Sequence, residues 1–124
     1  AALETKIRAA KKKVLERADF CEGTGTSQSS YEVSHIIPLS RTLDLAADTR
    51  NMRKFGRKAH DLWETHSPLK MCKLRCFEAD MEYIFEVDRE YWFKLIGKVL
   101  DITEINENIA IERRVAYYQI KEKS

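Results

Sequence analysis

The stretch that decides the fold is YEVSHIIPLS at residues 31–40, followed after ten residues by NMRKFGRKAH at residues 51–60. In the first segment apolar and polar positions alternate around Val33 and His35, which is typical of a short strand. Pro38 ends that pattern, because proline cannot donate to a strand ladder.

The second segment predicts a turn, a strand and a helix. Asp and Asn in residues 48–51 can close a turn on their own backbone. Residues 52–55 are predicted to form the second strand and residues 57–65 a helix, with a glycine breaking the chain between them. A hairpin followed by a helix brings His35 and His60 into one small cleft.

These positions resemble the motif of the HNH endonucleases, members of the ββα-metal nuclease superfamily. In that family a polar metal ligand precedes a catalytic His on a strand. A turn Asn follows, and a metal-binding His or Asn lies nine residues beyond it on a helix. The resemblance implies that His35 is the general base and that Asn51 fixes the turn. It also implies that His60 is a metal ligand, with Ser34 at the position where the family usually has Asp or His.

The resemblance further implies one divalent metal ion, Mg²⁺ or Mn²⁺. A neutral Ser34 hydroxyl is a poor ligand for a hard cation. Residues four apart on a helix share a face, so Glu64 should lie beside His60. We therefore expect His60 as the first ligand, Glu64 as its helper and Ser34 as a weak or water-bridged contact.

Many relatives also carry a structural zinc held by two Cys-x-x-Cys pairs. Here the first pair would be Cys21 and Thr24, and the second would fall on Gly56 and Ala59. We therefore expect no structural zinc. Three cysteines at wide spacing do not make a disulfide framework and predict a reducing, intracellular compartment, cytoplasmic or nuclear.

Charge is unevenly distributed along the chain, although the net charge is only +2. Residues 1–76 carry 15 Lys and Arg against 9 Asp and Glu, and residues 77–124 carry 7 against 11. A basic half that holds the motif suggests a surface for a polyanion, whereas ordinary helix-surface charge is the simpler interpretation. The residues expected to contact DNA phosphates are Arg41, Arg50, Arg53, Lys54, Arg57 and Lys58.

By length the chain is one domain, 1–124, with an HNH-like core at 19–66 and a helical part at 67–124. Apolar residues at three- and four-residue spacing predict an amphipathic helix over 2–18. The apolar run 83–100 is either the main core helix or an oligomer interface, and as an interface it would form a homodimer. No apolar run has the length of a membrane span.

The helical part is predicted to begin at Ser67 and Pro68, to restart at Asp88 and to continue in a last helix from Thr103. One face of its first helix should carry Leu69, Cys72, Cys76, Ala79 and Tyr83. The last helix should bury Ile102, Ile105, Ile109, Ala116 and Ile120. Cys72 and Cys76 could bind a metal with His66 or Cys21, but free cysteines on an apolar face are more often core residues.

These features predict a mainly α fold with a small β-hairpin, a ββα-metal nuclease core flanked by N-terminal and C-terminal helices. The leading function is metal-dependent hydrolysis of DNA, with double-stranded DNA as the expected partner. One alternative is an HNH-like module that binds nucleic acid without catalysis. Another is a helical interaction domain that binds a protein through residues 83–100.

Overall fold

The computed structural model describes residues 2–98, 120 and 122. Within them the fold is mainly helical with a small antiparallel hairpin, which confirms the predicted fold class. The elements are α1 (Leu3–Glu16), β1 (Glu32–His35), a 3₁₀ turn (Thr49–Asn51), β2 (Met52–Phe55), α2 (Arg57–Glu64), α3 (Pro68–Met71), α4 (Phe77–Val87) and α5 (Arg89–Ile96).

The chain divides into two compact units, residues 1–61 and residues 62–124, with the division inside α2. The predicted division of one domain into parts 19–66 and 67–124 is close to this boundary. That the whole chain forms one domain stays a prediction.

In the first unit α1 packs on the hairpin. The strands pair antiparallel, with Ser34 opposite Arg53 and His35 opposite Met52. Ala10 and Val14 of α1 are buried together with Met52, because they lie four residues apart and share one helix face. This apolar contact places the helix against the strands that carry the motif.

The strand β1 is shorter than the alternating pattern predicted, since it ends at His35. The physical reason is the conformation of the next two residues. Ile36 still donates its backbone N–H to the carbonyl of Asn51 at 2.8 Å, but Ile37 bonds to the Asn51 side chain instead of a strand. The second strand and α2 begin where the sequence predicted.

A polar network joins the end of α1 to the hairpin. Arg17 donates to both carboxylate oxygens of Glu22 at 2.9 and 2.7 Å, and to the carbonyls of Thr49 at 3.1 Å and Met52 at 2.6 Å. Glu22 in turn accepts from the backbone N–H of Lys54 at 2.7 Å and donates its own N–H to the Lys54 carbonyl at 2.8 Å. The network therefore holds α1, the 3₁₀ turn and β2 in one arrangement.

The second unit contradicts the prediction of one helix running from Pro68 through Tyr83. The first helix, α3, ends at Met71, and α4 begins only at Phe77. Between them Leu74 donates to the Met71 carbonyl and Phe77 to the Leu74 carbonyl, both at 3.0 Å. These three-residue turns bury Met71, Leu74 and Phe77 together, so Ala79 is exposed rather than on the apolar face.

The restart at Asp88 is confirmed, because its side chain accepts from the backbone N–H of Tyr91 at 3.1 Å and so caps α5. Trp92 is buried and packs edge-to-face on Phe85, with ring centroids 5.2 Å apart. Much of the apolar run 83–100 is thus core within the chain. A homodimer through this segment stays a prediction.

Some predicted features lie outside the described residues. They are Val99 and Leu100 and the helix from Thr103, apart from Ile120, which is described and buried. In the described part of the chain, no helix has both the length and the apolar character needed to cross a bilayer.

Candidate functional site

The candidate site is built around His35, the last residue of β1. Its Nε2 lies 2.9 Å from the carbonyl oxygen of Ala46, in the connector between the strands. A carbonyl can only accept, so Nε2 must carry the proton of this hydrogen bond. In the neutral ring the lone pair is then on Nδ1, which is the nitrogen able to take up a proton.

Asn51 holds the backbone that follows His35. Its Oδ1 accepts from the N–H of Ile37 at 2.7 Å, and its Nδ2 donates to the carbonyls of Ile37 at 3.0 Å and Leu45 at 3.4 Å. The side chain is fully buried at 0% exposure. Asn51 therefore fixes both ends of the connector, including the segment that carries the Ala46 carbonyl.

The short turn that delivers Asn51 has its own cap. Asp48 accepts from the backbone N–H of Arg50 at 2.9 Å, and this bond opens the 3₁₀ turn. Hydrogen bonds from Arg50 lower the pKa of Asp48 by more than its partial burial raises it, so the carboxylate stays charged. This is the turn chemistry that the Asp48-to-Asn51 segment predicted.

His60 lies on α2, and its backbone N–H donates to the Gly56 carbonyl at 3.0 Å. Its Nδ1 is buried and has no hydrogen-bond partner among the described residues. A desolvated nitrogen without a partner is costly, and a cation bound to it would offset that cost. Of the residues expected to hold a metal, His60 therefore fits one ligand bond.

Ser34 is buried at 2% exposure on the strand position before His35. Residues 2–98, 120 and 122 contain no group of three or more His, Cys, Asp or Glu placed to hold a metal ion. A closed cage of protein ligands is thus not formed there. Mg²⁺ commonly keeps several waters and takes substrate phosphate oxygens as ligands, so an open site with few protein ligands suits it.

Glu64, the expected helper of His60, lies in the second unit, which begins at Leu62. Its Oε2 lies 3.8 Å from Nε2 of His66. His66 has a positive φ of 51° and its Nδ1 is 3.4 Å from the Tyr91 hydroxyl. The role of Glu64 as a metal ligand stays a prediction.

Three of the expected phosphate contacts are exposed side chains. Arg50 pairs with Asp48 at 2.8 Å, and Arg57 pairs with Glu32 at 2.9 Å and Asp61 at 3.2 Å. Lys58 is exposed as well. Exposed ion pairs contribute little stability, so these cations can exchange a carboxylate for a phosphate at small cost.

The other expected contacts are less accessible. Arg41 is half-buried in the connector, and Arg53 lies 3.8 Å from Glu22. Lys54 does not fit the expectation, because it is only 6% exposed. Its ammonium donates to the carbonyls of Leu15, at 2.7 Å, and Ala18, and so satisfies the end of α1. The ammonium also lies 4.3 Å from the centroid of the Tyr31 ring, so Lys54 contacts other parts of the first unit rather than presenting an exposed cation to DNA.

Cys21 lies at a position where the family resemblance would place a zinc ligand. It is fully buried, and its Sγ accepts from the Gly56 N–H at 3.3 Å. Burial raises the pKa of this thiol, but hydrogen bonds from Thr24, Gly56 and Gly23 together lower it by more. Thr24 and Gly56 thus contact the sulfur as hydrogen-bond donors, and the expectation of no structural zinc stays a prediction.

Two contributors to the site were missed by sequence reasoning. The Ala46 carbonyl is a backbone group, so the residue type at position 46 carries no signal for it. Arg17 was predicted only as part of the amphipathic helix over 2–18, yet it donates to the carbonyl of Met52, the residue opposite His35. A signal for Arg17 would have been the nearby Glu22, five residues on.

No family model, curated protein or solved structure matches the chain.

Proposed function

We propose that the protein is a metal-dependent endonuclease that hydrolyses phosphodiester bonds in double-stranded DNA. The observation that carries the proposal is the hydrogen bond between His35 Nε2 and the Ala46 carbonyl. It leaves Nδ1 of a neutral imidazole as a proton acceptor, which is what activation of a water nucleophile requires.

In the proposed mechanism His35 Nδ1 takes a proton from a water molecule as the water oxygen bonds to phosphorus. The P–O bond to the leaving sugar oxygen breaks in the same step, and that oxygen takes a proton from solvent. Asn51 keeps the imidazole in place by holding the connector on which the Ala46 carbonyl lies. Arg50, Arg57 and Lys58 orient the DNA by binding phosphates, which positions the duplex without reading its sequence.

His60 is the proposed protein ligand of one Mg²⁺ or Mn²⁺ ion, with Ser34 as a secondary contact. When bound, the ion would supply positive charge that stabilises the transition state and the leaving oxygen. The buried, unpartnered Nδ1 of His60 supports its part in this assignment.

A second candidate is a module that binds nucleic acid without cutting it. The buried, uncharged Ser34 favours it, because the ligand position before the histidine lacks a carboxylate. The two candidates differ in a direct assay. The purified protein is incubated with supercoiled plasmid in Mg²⁺, in Mn²⁺ and in EDTA, and nicked and linear products are measured.

The test variant is His35→Gln, since the Gln amide can still donate to the Ala46 carbonyl but cannot act as a base at neutral pH. We expect cleavage that needs a divalent ion and that falls about 10²- to 10⁴-fold in the variant. The matched control is His66→Asn, a change at a histidine the mechanism does not use, to a residue that tolerates positive φ.

Cleavage within a few-fold of wild type in His35→Gln would show that His35 is not the base. Binding of plasmid with no cleavage in any metal would favour the binding module instead. Circular dichroism spectra of both variants check that the fold is retained.

A further inference from the structure

An open groove lies between α1 and the segment that leads into the 3₁₀ turn. It has small side chains on both walls and a lysine towards each end of its helical wall. Its lining residues are Lys6, Ala9, Ala10, Lys13, Ala47, Asp48 and Thr49. All of them belong to the first unit.

The groove is positively charged. Lys6 and Lys13 are both exposed, and seven residues on a helix place them about 10 Å apart on the same side. Asp48 also lines the groove, but its carboxylate is bound by the Arg50 guanidinium at 2.8 and 3.2 Å. With two lysines and one carboxylate, the lining residues keep a net positive charge even where Arg50 binds elsewhere.

The shape of the groove suits a sugar-phosphate backbone. Alanines at positions 9, 10 and 47 leave room between the lysines, and Thr49 adds polar atoms along the opposite wall. Two lysines whose helix positions are about 10 Å apart can contact two different phosphates rather than one. A flexible lysine acts as a point charge and does not need a fixed ligand geometry.

The groove also lies next to the candidate site along the chain. Ala47 lines it, and the preceding residue supplies the carbonyl that binds His35. A DNA strand bound in the groove would thus emerge from the groove beside the connector that positions the proposed base.

We propose that the groove between α1 and residues 47–49 binds the backbone of the DNA duplex outside the cleavage point, through Lys6 and Lys13. The inference rests on the proposed function, because it extends the same DNA along a second surface. It differs from the cleft contacts in that its cations come from the N-terminal helix.

The test compares two double variants of the same helix. Lys6→Gln/Lys13→Gln removes the groove cations, and Lys11→Gln/Lys12→Gln removes two lysines that do not line the groove. Gln keeps the helix propensity of Lys, so both variants should fold. Fluorescence anisotropy with a 30-base-pair duplex in EDTA measures Kd between 0.05 and 0.3 M NaCl, without cleavage.

Each phosphate contact contributes about 0.9 to the slope of log K against log salt, so losing two should lower the slope by about 1.8. At 0.1 M NaCl this corresponds to a Kd up to about 60-fold weaker for the groove variant. The control variant should stay within a few-fold of wild type.

If the two variants weaken binding equally, or if neither weakens it, the groove does not bind the DNA backbone. Neither result would contradict the proposed nuclease activity. The latter result is also expected if the groove binds an acidic protein segment rather than DNA. Failure of the wild-type protein to bind duplex in any salt would overturn both proposals.

Discussion

Replacing Asn51 by Ala should disrupt the connector that positions His35. The wild-type side chain is fully buried and satisfies the N–H and C=O groups of Ile37, with a further bond to the Leu45 carbonyl at 3.4 Å. Ala can make none of these bonds. Both polar backbone groups of Ile37, itself fully buried, would be left without that partner.

The magnitude follows from counting those groups. An unsatisfied buried donor or acceptor costs about 1–3 kcal/mol, so the two groups of Ile37 together cost about 2–6 kcal/mol. A domain of this size has a total free energy of unfolding of about 5–15 kcal/mol. The substitution should therefore remove a large fraction of the stability of the first unit.

Amide hydrogen exchange tests this reasoning because the chain contains an internal control. The N–H of Ile37 bonds to the Asn51 side chain, whereas the N–H of Ile36 bonds to the Asn51 backbone carbonyl at 2.8 Å. In Asn51→Ala under native conditions, exchange at Ile37 should rise about 5- to 150-fold relative to exchange at Ile36. Equal changes at both amides would show global unfolding instead, and no change at Ile37 would refute the proposed role of the Asn51 amide.

Two further changes probe other parts of the first unit. Burial raises the pKa of Glu22, but hydrogen bonds from Arg17 and Lys54 and the charges of Arg17 and Arg53 lower it by more. The stabilisation by the Glu22 carboxylate is therefore present above pH 4.5 and is lost as pH falls through the lowered pKa. The difference in urea midpoint between wild type and Glu22→Gln, followed by circular dichroism, should therefore shrink from pH 6 to pH 3. A constant difference, like that expected for the exposed Glu16→Gln, would contradict this. His60→Ala should raise the Mg²⁺ concentration for half-maximal plasmid cleavage, and an unchanged titration would remove His60 from the metal site.

Local sequence signals predicted the parts of the fold that depend on local chemistry. Asp48 and Asn51 mark the two ends of the turn, Gly56 separates β2 from α2, and Asp88 caps α5. Each of these features depends only on residues close by in the sequence. The break after Met71 was not predicted, because the periodic pattern permitted an α-helix through residues 72–76. In the structure three-residue turns replace the α-helix there and Leu74 is buried. Which side chains are buried depends on the packing of the whole unit and not on neighbouring residues alone.

The same distinction applies to the candidate site, where residue types were predictable from the sequence and long-range contacts were not. The family resemblance pointed to His35 and Asn51 as candidates, and in the structure both side chains contact backbone carbonyls in the connector. A carbonyl has no sequence signature, so the protonated nitrogen of His35 could not be predicted. Lys54 shows the converse, because a lysine among four other cations predicts a phosphate contact. Its position opposite Val33 instead leads its ammonium to the end of α1, where two carbonyls bind it. The cations that we propose to bind DNA are therefore the exposed Arg57 and Lys58 on α2, Arg50 on the 3₁₀ turn, and Lys6 and Lys13 of the groove.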